Sequence, residues 1–195
     1  MSDNNLRVQP PIEILADENR LASALAARVV SAAAAAVAAR GRFALAIPGG
    51  SVVSLLARGL AAPVAAPNWH VFWADERRVP LADPQSNFRL AETELLPKLA
   101  GAQIHPIRGS AADYETELRP FLPLDLILLG VGEDGHVASL FPEHPATRET
   151  ARLVAEVHDA PKPPPDRVTL TFLVLNAARE TLVVVLGDHE TGGMS

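Results

Sequence analysis

The sequence has no cysteine. Disulfides, thiolate zinc sites, iron–sulfur clusters and a thiol nucleophile are therefore excluded, and a reducing, cytoplasmic setting is expected. Lysine is scarce: among 17 basic residues only Lys98 and Lys162 are lysines, and the others are arginines. There are 23 acidic residues, so the net charge is −6. A broad nucleic-acid interface needs a basic face, and none is expected here. Met1 to Gln9 is polar and has no apolar segment resembling a targeting signal. The longest apolar stretch, Ser31 to Ala39, is mostly alanine and too short for a bilayer, so no membrane partner is expected. Alanine favours helix, and the stretch is read as part of one. The chain shows no internal repeat and no interdomain linker.

What is present is 195 residues with 48% apolar and 21% charged side chains. That is enough for a buried core, and one domain over 1–195 is expected. Short apolar runs alternate with helical stretches. Strands are expected at Ile12 to Ala16, Phe43 to Ile47, Trp69 to Ala74, near Ile104, and at Leu124 to Gly130, Arg152 to Val157, Val168 to Thr171 and Thr181 to Leu186. Asp17 is a candidate cap for a helix reaching Arg40, stopped by Gly41. Ser51 is a candidate cap for a helix to Leu60. Further helices are expected over Asn87 to Leu99, over Asp113 to Leu118 and near Asn176. Pro161 to Pro165 reads as a rigid loop. The run Leu124 to Gly130 is continuously apolar, as in a strand buried on both faces of a parallel sheet. The βαβ rhythm predicts a single three-layer α/β domain with a mostly parallel, Rossmann-like sheet. Ligands in such sheets bind beyond the carboxyl ends of the strands. Three such ends, after Ile47, Ala74 and Leu129, carry loops rich in glycine or charge.

Each loop allows a functional and a plain reading. Gly49-Gly50-Ser51 is either an anion cradle at a helix start or a tight turn with a serine cap. Asp75-Glu76-Arg77-Arg78 is either a solvated turn or an anion clamp. In the clamp Arg77 offers its planar fork, and Asp75 or Glu76 orients it or binds hydroxyls. Asn87 either caps the next helix or holds the loop. Gly132-Glu133-Asp134-Gly135-His136 places an imidazole at the end of a buried strand, where it can transfer protons or simply sit in a surface turn. Asp134 is close enough in sequence to orient it. The other histidines have no comparable context. No HxxxH spacing, G-x-S-x-G elbow or complete phosphate-loop signature is present. Ser139, near His136, is not read as a nucleophile.

Four stretches in this order resemble the 6-phosphogluconolactonase family. They are IPGGSVVSLL (Ile47 to Leu56), FWADERRVPLADPQSN (Phe72 to Asn87), LDLILLGVGEDGHVASLFP (Leu124 to Pro142) and PDRVTLTFLVLNAAR (Pro165 to Arg179). The related glucosamine-6-phosphate isomerases share the Gly-Gly and Asp-Gly-His loops. They continue after the histidine to a Phe-Asn-Glu-Pro segment, where this chain reads Ser139-Leu140-Phe141-Pro142 without the glutamate. The resemblance implies hydrolysis of 6-phosphoglucono-1,5-lactone to 6-phosphogluconate in the oxidative pentose phosphate pathway, with isomerase and non-catalytic phosphosugar binding as the alternatives. It implies no metal and no organic cofactor. His136 would be the general base on water, oriented by Asp134. Gly49, Gly50, Ser51, Asp75, Arg77 and Arg167 would bind substrate or phosphate, with Glu76, Asn87, Gly132 and Gly135 in support. The partner would be a small sugar-phosphate lactone, and the protein a monomer or weak homo-oligomer. Relatives of this kind carry a lysine after the glycine of the last strand and then another helix. Here Leu186-Gly187 is followed by Asp188-His189-Glu190, so the C-terminus reads as shortened and the phosphate grip as short of one cation, for which His189 is a partial substitute.

Overall fold

The computed structural model describes residues 11–187. Asp17 caps the first helix, α1 (Glu18–Arg40), by accepting the Arg20 amide at 2.8 Å. This satisfies one of the donors that a helix start leaves free. Gly41 ends the helix in the left-handed region at φ 73°, a conformation that costs glycine nothing. The helix has the length and mean hydropathy of a membrane-crossing segment. One face of it (Ala22, Leu25, Ala26, Val29, Ala33 and Ala36) is nonetheless buried in the protein.

In chain order there follow β1 (Phe43–Ile47), α2 (Ser51–Gly59), β2 (Val64–Ala65), β3 (Trp69–Trp73), β4 (Asp75–Arg77), α3 (Asn87–Glu94), β5 (Leu99–Ala100), β6 (Gln103–His105), α4 (Ala111–Leu118), β7 (Leu126–Gly130), β8 (Val154–Val157), β9 (Arg167–Leu170), α5 (Phe172–Ala177) and β10 (Thr181–Val184). Helices α1 and α2 approach backbone to backbone: a β-carbon on Gly59 would stand 1.9 Å from the Ala22 carbonyl oxygen. Small residues are what permit that approach.

The central sheet is parallel, in the order β10-β7-β1-β3-β6. Every residue of β1 is buried, as are Leu126 to Leu129 of β7. This is the two-sided burial that their unbroken apolar runs demand. From β1 the chain builds outward through β3 to β6, then returns to place β7 on the other side of β1. The carboxyl ends of β1 and β7 therefore flank the point where strand order reverses, which is where open α/β sheets hold ligands. A second, antiparallel sheet has the order β4-β9-β8. Its register sets Asp75 opposite Thr169, Glu76 opposite Val168 and Arg77 opposite Arg167.

Several expectations change. Ile12 to Ala16 is not a strand; Ile12 and Ile14 are 83% and 88% exposed. Among the described residues the segment has no neighbouring strand, and an unpaired strand leaves its backbone donors and acceptors unused. The charged run after β3 is not a solvated turn. Asp75 to Arg77 is a strand, with Asp75 and Glu76 buried. The helix from Asn87 stops at Glu94, and a 3-10 turn over Leu96–Lys98 follows. Pro97 lacks the amide that a longer α-helix would use. The substitute cation His189 and the departure that begins at Asp188 lie outside the described residues.

Candidate active site

Beyond β7 the chain folds back in a glycine turn. The Gly132 amide donates to the His136 carbonyl and the Gly135 amide to the Gly132 carbonyl, each at 2.9 Å. Gly135 has φ 81°. The His136 ring lies directly against Gly132, where a β-carbon would be 2.1 Å from Cε1. This turn brings His136 Nδ1 to 2.5 Å from Asp134 Oδ1. An ionised carboxylate only accepts hydrogen bonds, so the shared proton belongs to Nδ1, and in the neutral imidazole Nε2 carries the free lone pair. The hydrogen bond from His136 holds the Asp134 carboxyl below its ordinary value, with smaller help from nearby charge. The His136 side chain is 18% exposed, so water can reach it. Phe141 packs on the ring at a centroid distance of 4.6 Å.

Beyond β1, Gly50 is the N-cap of α2 at φ 67° and ψ −149°, and no side chain caps the helix. Ser51 is the first helical residue rather than the cap. Glycine tolerates that backbone and leaves the first-turn amides open. Gly49 is fitted against Asn87, whose Oδ1 would be 2.0 Å from a β-carbon there. Asn87 Oδ1 is itself buried without a hydrogen-bond partner.

Beyond β3, the two carboxylates turn inward. Glu76 Oε1 accepts the Asn87 and Arg77 amides at 2.7 Å each, and Oε2 accepts the Phe88 amide at 2.7 Å and the Ser86 hydroxyl at 3.0 Å. Glu76 thus closes the start of α3, jointly with Ser86, the N-cap residue. Burial raises its carboxyl above the ordinary value, against the opposing pull of these donors. Asp75 is also fully engaged. Its Oδ2 accepts the Ser139 hydroxyl at 2.6 Å, and Asn87 Nδ2 donates to its Oδ1 at 3.2 Å and to its carbonyl at 2.9 Å. The expected contact of Asp75 with substrate hydroxyls gives way to an internal role, since it is 4% exposed and both oxygens are occupied. Asn87 holds the loop, and Ser86 does the capping.

The two arginines are cross-strand partners. Arg167 is 4% exposed. Its Nε donates to the Pro164 carbonyl at 3.0 Å, and Nη2 to the carbonyls of Lys162 at 2.9 Å and Pro163 at 3.4 Å. Nη1 reaches Ser139 Oγ at 3.5 Å, and the guanidinium lies 5.5 Å from the Phe141 ring centre. Burial lowers its pKa from the ordinary value, the Arg77 charge adds to that, and Asp75 opposes it. Arg77 is half-buried; Nη1 donates to the Gln85 carbonyl at 2.7 Å, and its Nε has no partner.

The expected residues are thus linked by contact. Gly49 meets Asn87, Asn87 meets Asp75, Asp75 meets Ser139, and Ser139 meets Arg167. Phe141 then joins Arg167 to the His136–Asp134 pair. Phe141 and Lys162 are members that residue-by-residue reading of the sequence missed, and Ser139 stands out there only as a nucleophile without its motif. The only available signal was that each lies inside or beside a motif-bearing stretch. A surface hollow of about 660 Å³ is lined by α4 and β8 and contains none of these residues. Another, of about 380 Å³, is lined by Glu76 and Arg77 together with Arg78, Ile107 and Arg108. Among the described residues no group of three or more acidic or histidine side chains could hold a metal ion.

Residues 16–192 match the model of the family described as glucosamine-6-phosphate isomerases/6-phosphogluconolactonase. The chain belongs to that family. It is 41% identical to the human 6-phosphogluconolactonase over 198 residues, covering 91% of this chain and 77% of the human one. It is 37% identical to the 6-phosphogluconolactonase of Mycobacterium bovis over 207 residues, covering 94% and 84%. Among solved structures, the 6-phosphogluconolactonase of Shewanella baltica superposes with a TM-score of 0.81 at 27% identity, over 89% of this chain and 80% of that one. The Trypanosoma brucei enzyme of the same name gives 0.76 at 26% identity, over 92% and 82%. These family members share the parallel-sheet fold described above.

Proposed function

We propose that this chain hydrolyses 6-phosphoglucono-1,5-lactone to 6-phosphogluconate, a step of the oxidative pentose phosphate pathway. The observation that carries this reading is the His136–Asp134 pair, 2.5 Å apart at the strand-order reversal, in a chain of this family.

His136 Nε2 takes a proton from water as the water oxygen bonds to lactone C1 and the carbonyl electrons move onto oxygen. The carbonyl then re-forms and the C1–ring oxygen bond breaks. His136 returns its proton to the departing ring oxygen, which becomes a hydroxyl. Water and one base complete the balance. A positioned base supplies roughly 10²–10⁴-fold, and orientation of the substrate supplies more. Asp134 stays ionised throughout, fixing the Nδ1–H tautomer and stabilising the transient imidazolium. The open amides at Gly50 and Ser51 suit the phosphate, because an α-helix start attracts anions. Arg77, the more accessible of the two arginines, supplies the outward charge, with Arg167 behind it. The steps use this chain's side chains and water alone. We infer a small-molecule partner and a cytoplasmic setting.

The test is hydrolysis of freshly made 6-phosphogluconolactone, followed by acid release. Turnover above the spontaneous rate is expected, and its absence would overturn the reading. The isomerase alternative predicts ammonia release from glucosamine 6-phosphate. None is expected, since Val137 to Pro142 offers no carboxylate.

A further inference from the structure

The part of this row from Arg167 through Phe141 to His136 and Asp134 is closed into a ring by one residue. Lys162 Nζ stands 3.7 Å from Asp134 Oδ1, the same oxygen that His136 Nδ1 bonds. The Lys162 carbonyl accepts Arg167 Nη2 at 2.9 Å. One residue thus touches the proton-transfer pair with its side chain and the buried arginine with its backbone.

The loop that carries Lys162 is built to hold still. Prolines occupy positions 161, 163, 164 and 165, and each fixes its own φ and restricts the residue before it. Three successive carbonyls, of Lys162, Pro163 and Pro164, converge on the Arg167 guanidinium. The only other lysine, Lys98, donates to the Leu60 carbonyl at 2.7 Å. The Lys162 side chain is half-exposed. An isolated pair of this kind adds little to stability. Its consequence lies in geometry, because it acts on the oxygen that sets the imidazole's tautomer. Asp134 sits in a short glycine turn with a partly exposed carboxylate. Without a second partner that carboxylate can rotate away from Nδ1.

We propose that Lys162 is a positioning residue for the reaction, holding Asp134 toward His136 and tying that pair to Arg167 through the proline loop. This rests on the lactonase reading above. Lys162 meets the Asp134 oxygen that bonds Nδ1, the ring nitrogen that does not take the proton from water, so its assigned role runs through Asp134 and not through the phosphate.

The test compares Lys162→Met and Lys162→Arg with the wild-type chain. For Lys162→Met, kcat is expected to fall about 3- to 10-fold, as for loss of a charge pair that orients a reacting group. KM and the Kd of 6-phosphogluconate should stay within about twofold, and the melting temperature should not move because the side chain is half in water. Lys162→Arg should restore kcat, since guanidinium keeps the charge. An unchanged kcat in Lys162→Met would overturn the proposal. So would a loss carried by KM and product affinity, which would make Lys162 a phosphate ligand. A second measurement does not need turnover: the ¹⁵N shifts of His136 should show one Nδ1–H tautomer in wild type and a mixture in Lys162→Met. Identical tautomers in both would also overturn it. Failure of the lactonase reading shows separately, as no wild-type turnover.

Discussion

Gly49 and Asn87 are fitted to each other with no room between them: a β-carbon on Gly49 would stand 2.0 Å from Asn87 Oδ1. Asn87 cannot retreat, because its amide nitrogen is bonded to Asp75 behind it. Gly49→Ala should therefore displace either the Gly49–Ser51 loop or α3. We expect a stability loss of about 1–3 kcal/mol, in the range for overpacking a filled interior, together with a raised KM. Denaturant unfolding and steady-state kinetics check this. An alanine variant of wild-type stability and KM would show that the contact relaxes freely.

Ser139 separates two roles. It is fully buried, and its hydroxyl donates a hydrogen bond to Asp75. Ser139→Ala should leave a buried carboxylate oxygen short of a donor, at roughly 1–3 kcal/mol, while hydrolysis continues at a reduced rate. Turnover abolished as completely as in a His136 variant would instead place the hydroxyl in the chemistry.

Glu149 predicts a feature of acid unfolding. The Ala151 and Arg152 amides and the Arg152 side chain hold its carboxyl down from 4.5 to about 2. A carboxyl depressed in the folded state adds stability that is complete above its unfolded value and is lost as pH falls through the folded one. Glu149 should therefore contribute above about pH 4.5 and lose that contribution between there and about pH 2. Replacing it with glutamine should flatten melting temperature against pH in that window. Parallel curves for the two proteins would show that the contacts do not persist in solution.

Much of the fold was legible because burial leaves a pattern. The runs of β1 and β7 are apolar throughout, and the structure buries them on both faces of the sheet. Asp17 and Gly41 mark the ends of α1 by chemistry that needs no tertiary context. Ile12 to Ala16 misleads because alternation alone does not supply a pairing strand. Asp75-Glu76-Arg77 misleads in the opposite direction. Its charge suggests solvent, yet the buried carboxylates are satisfied by Ser139, by Asn87 and by the amides at the start of α3. Those partners lie 11 to 64 residues away, and the sequence between does not show that the chain turns back to bring them together. The proximity of Asp134 to His136 was readable, because they are two residues apart in a glycine turn. The Lys162 contact was not, since Lys162 and Asp134 are 28 residues apart and meet only through the fold.

The central claim is that His136 moves the proton. It is tested most directly by kcat for lactone hydrolysis in His136→Ala beside wild type, at a pH where the spontaneous rate is measured in parallel. The account predicts a fall of about 10²–10⁴-fold, as for loss of a positioned general base, with a folded protein and a product Kd close to wild type. A His136→Ala protein that turns over lactone at the wild-type rate would contradict it.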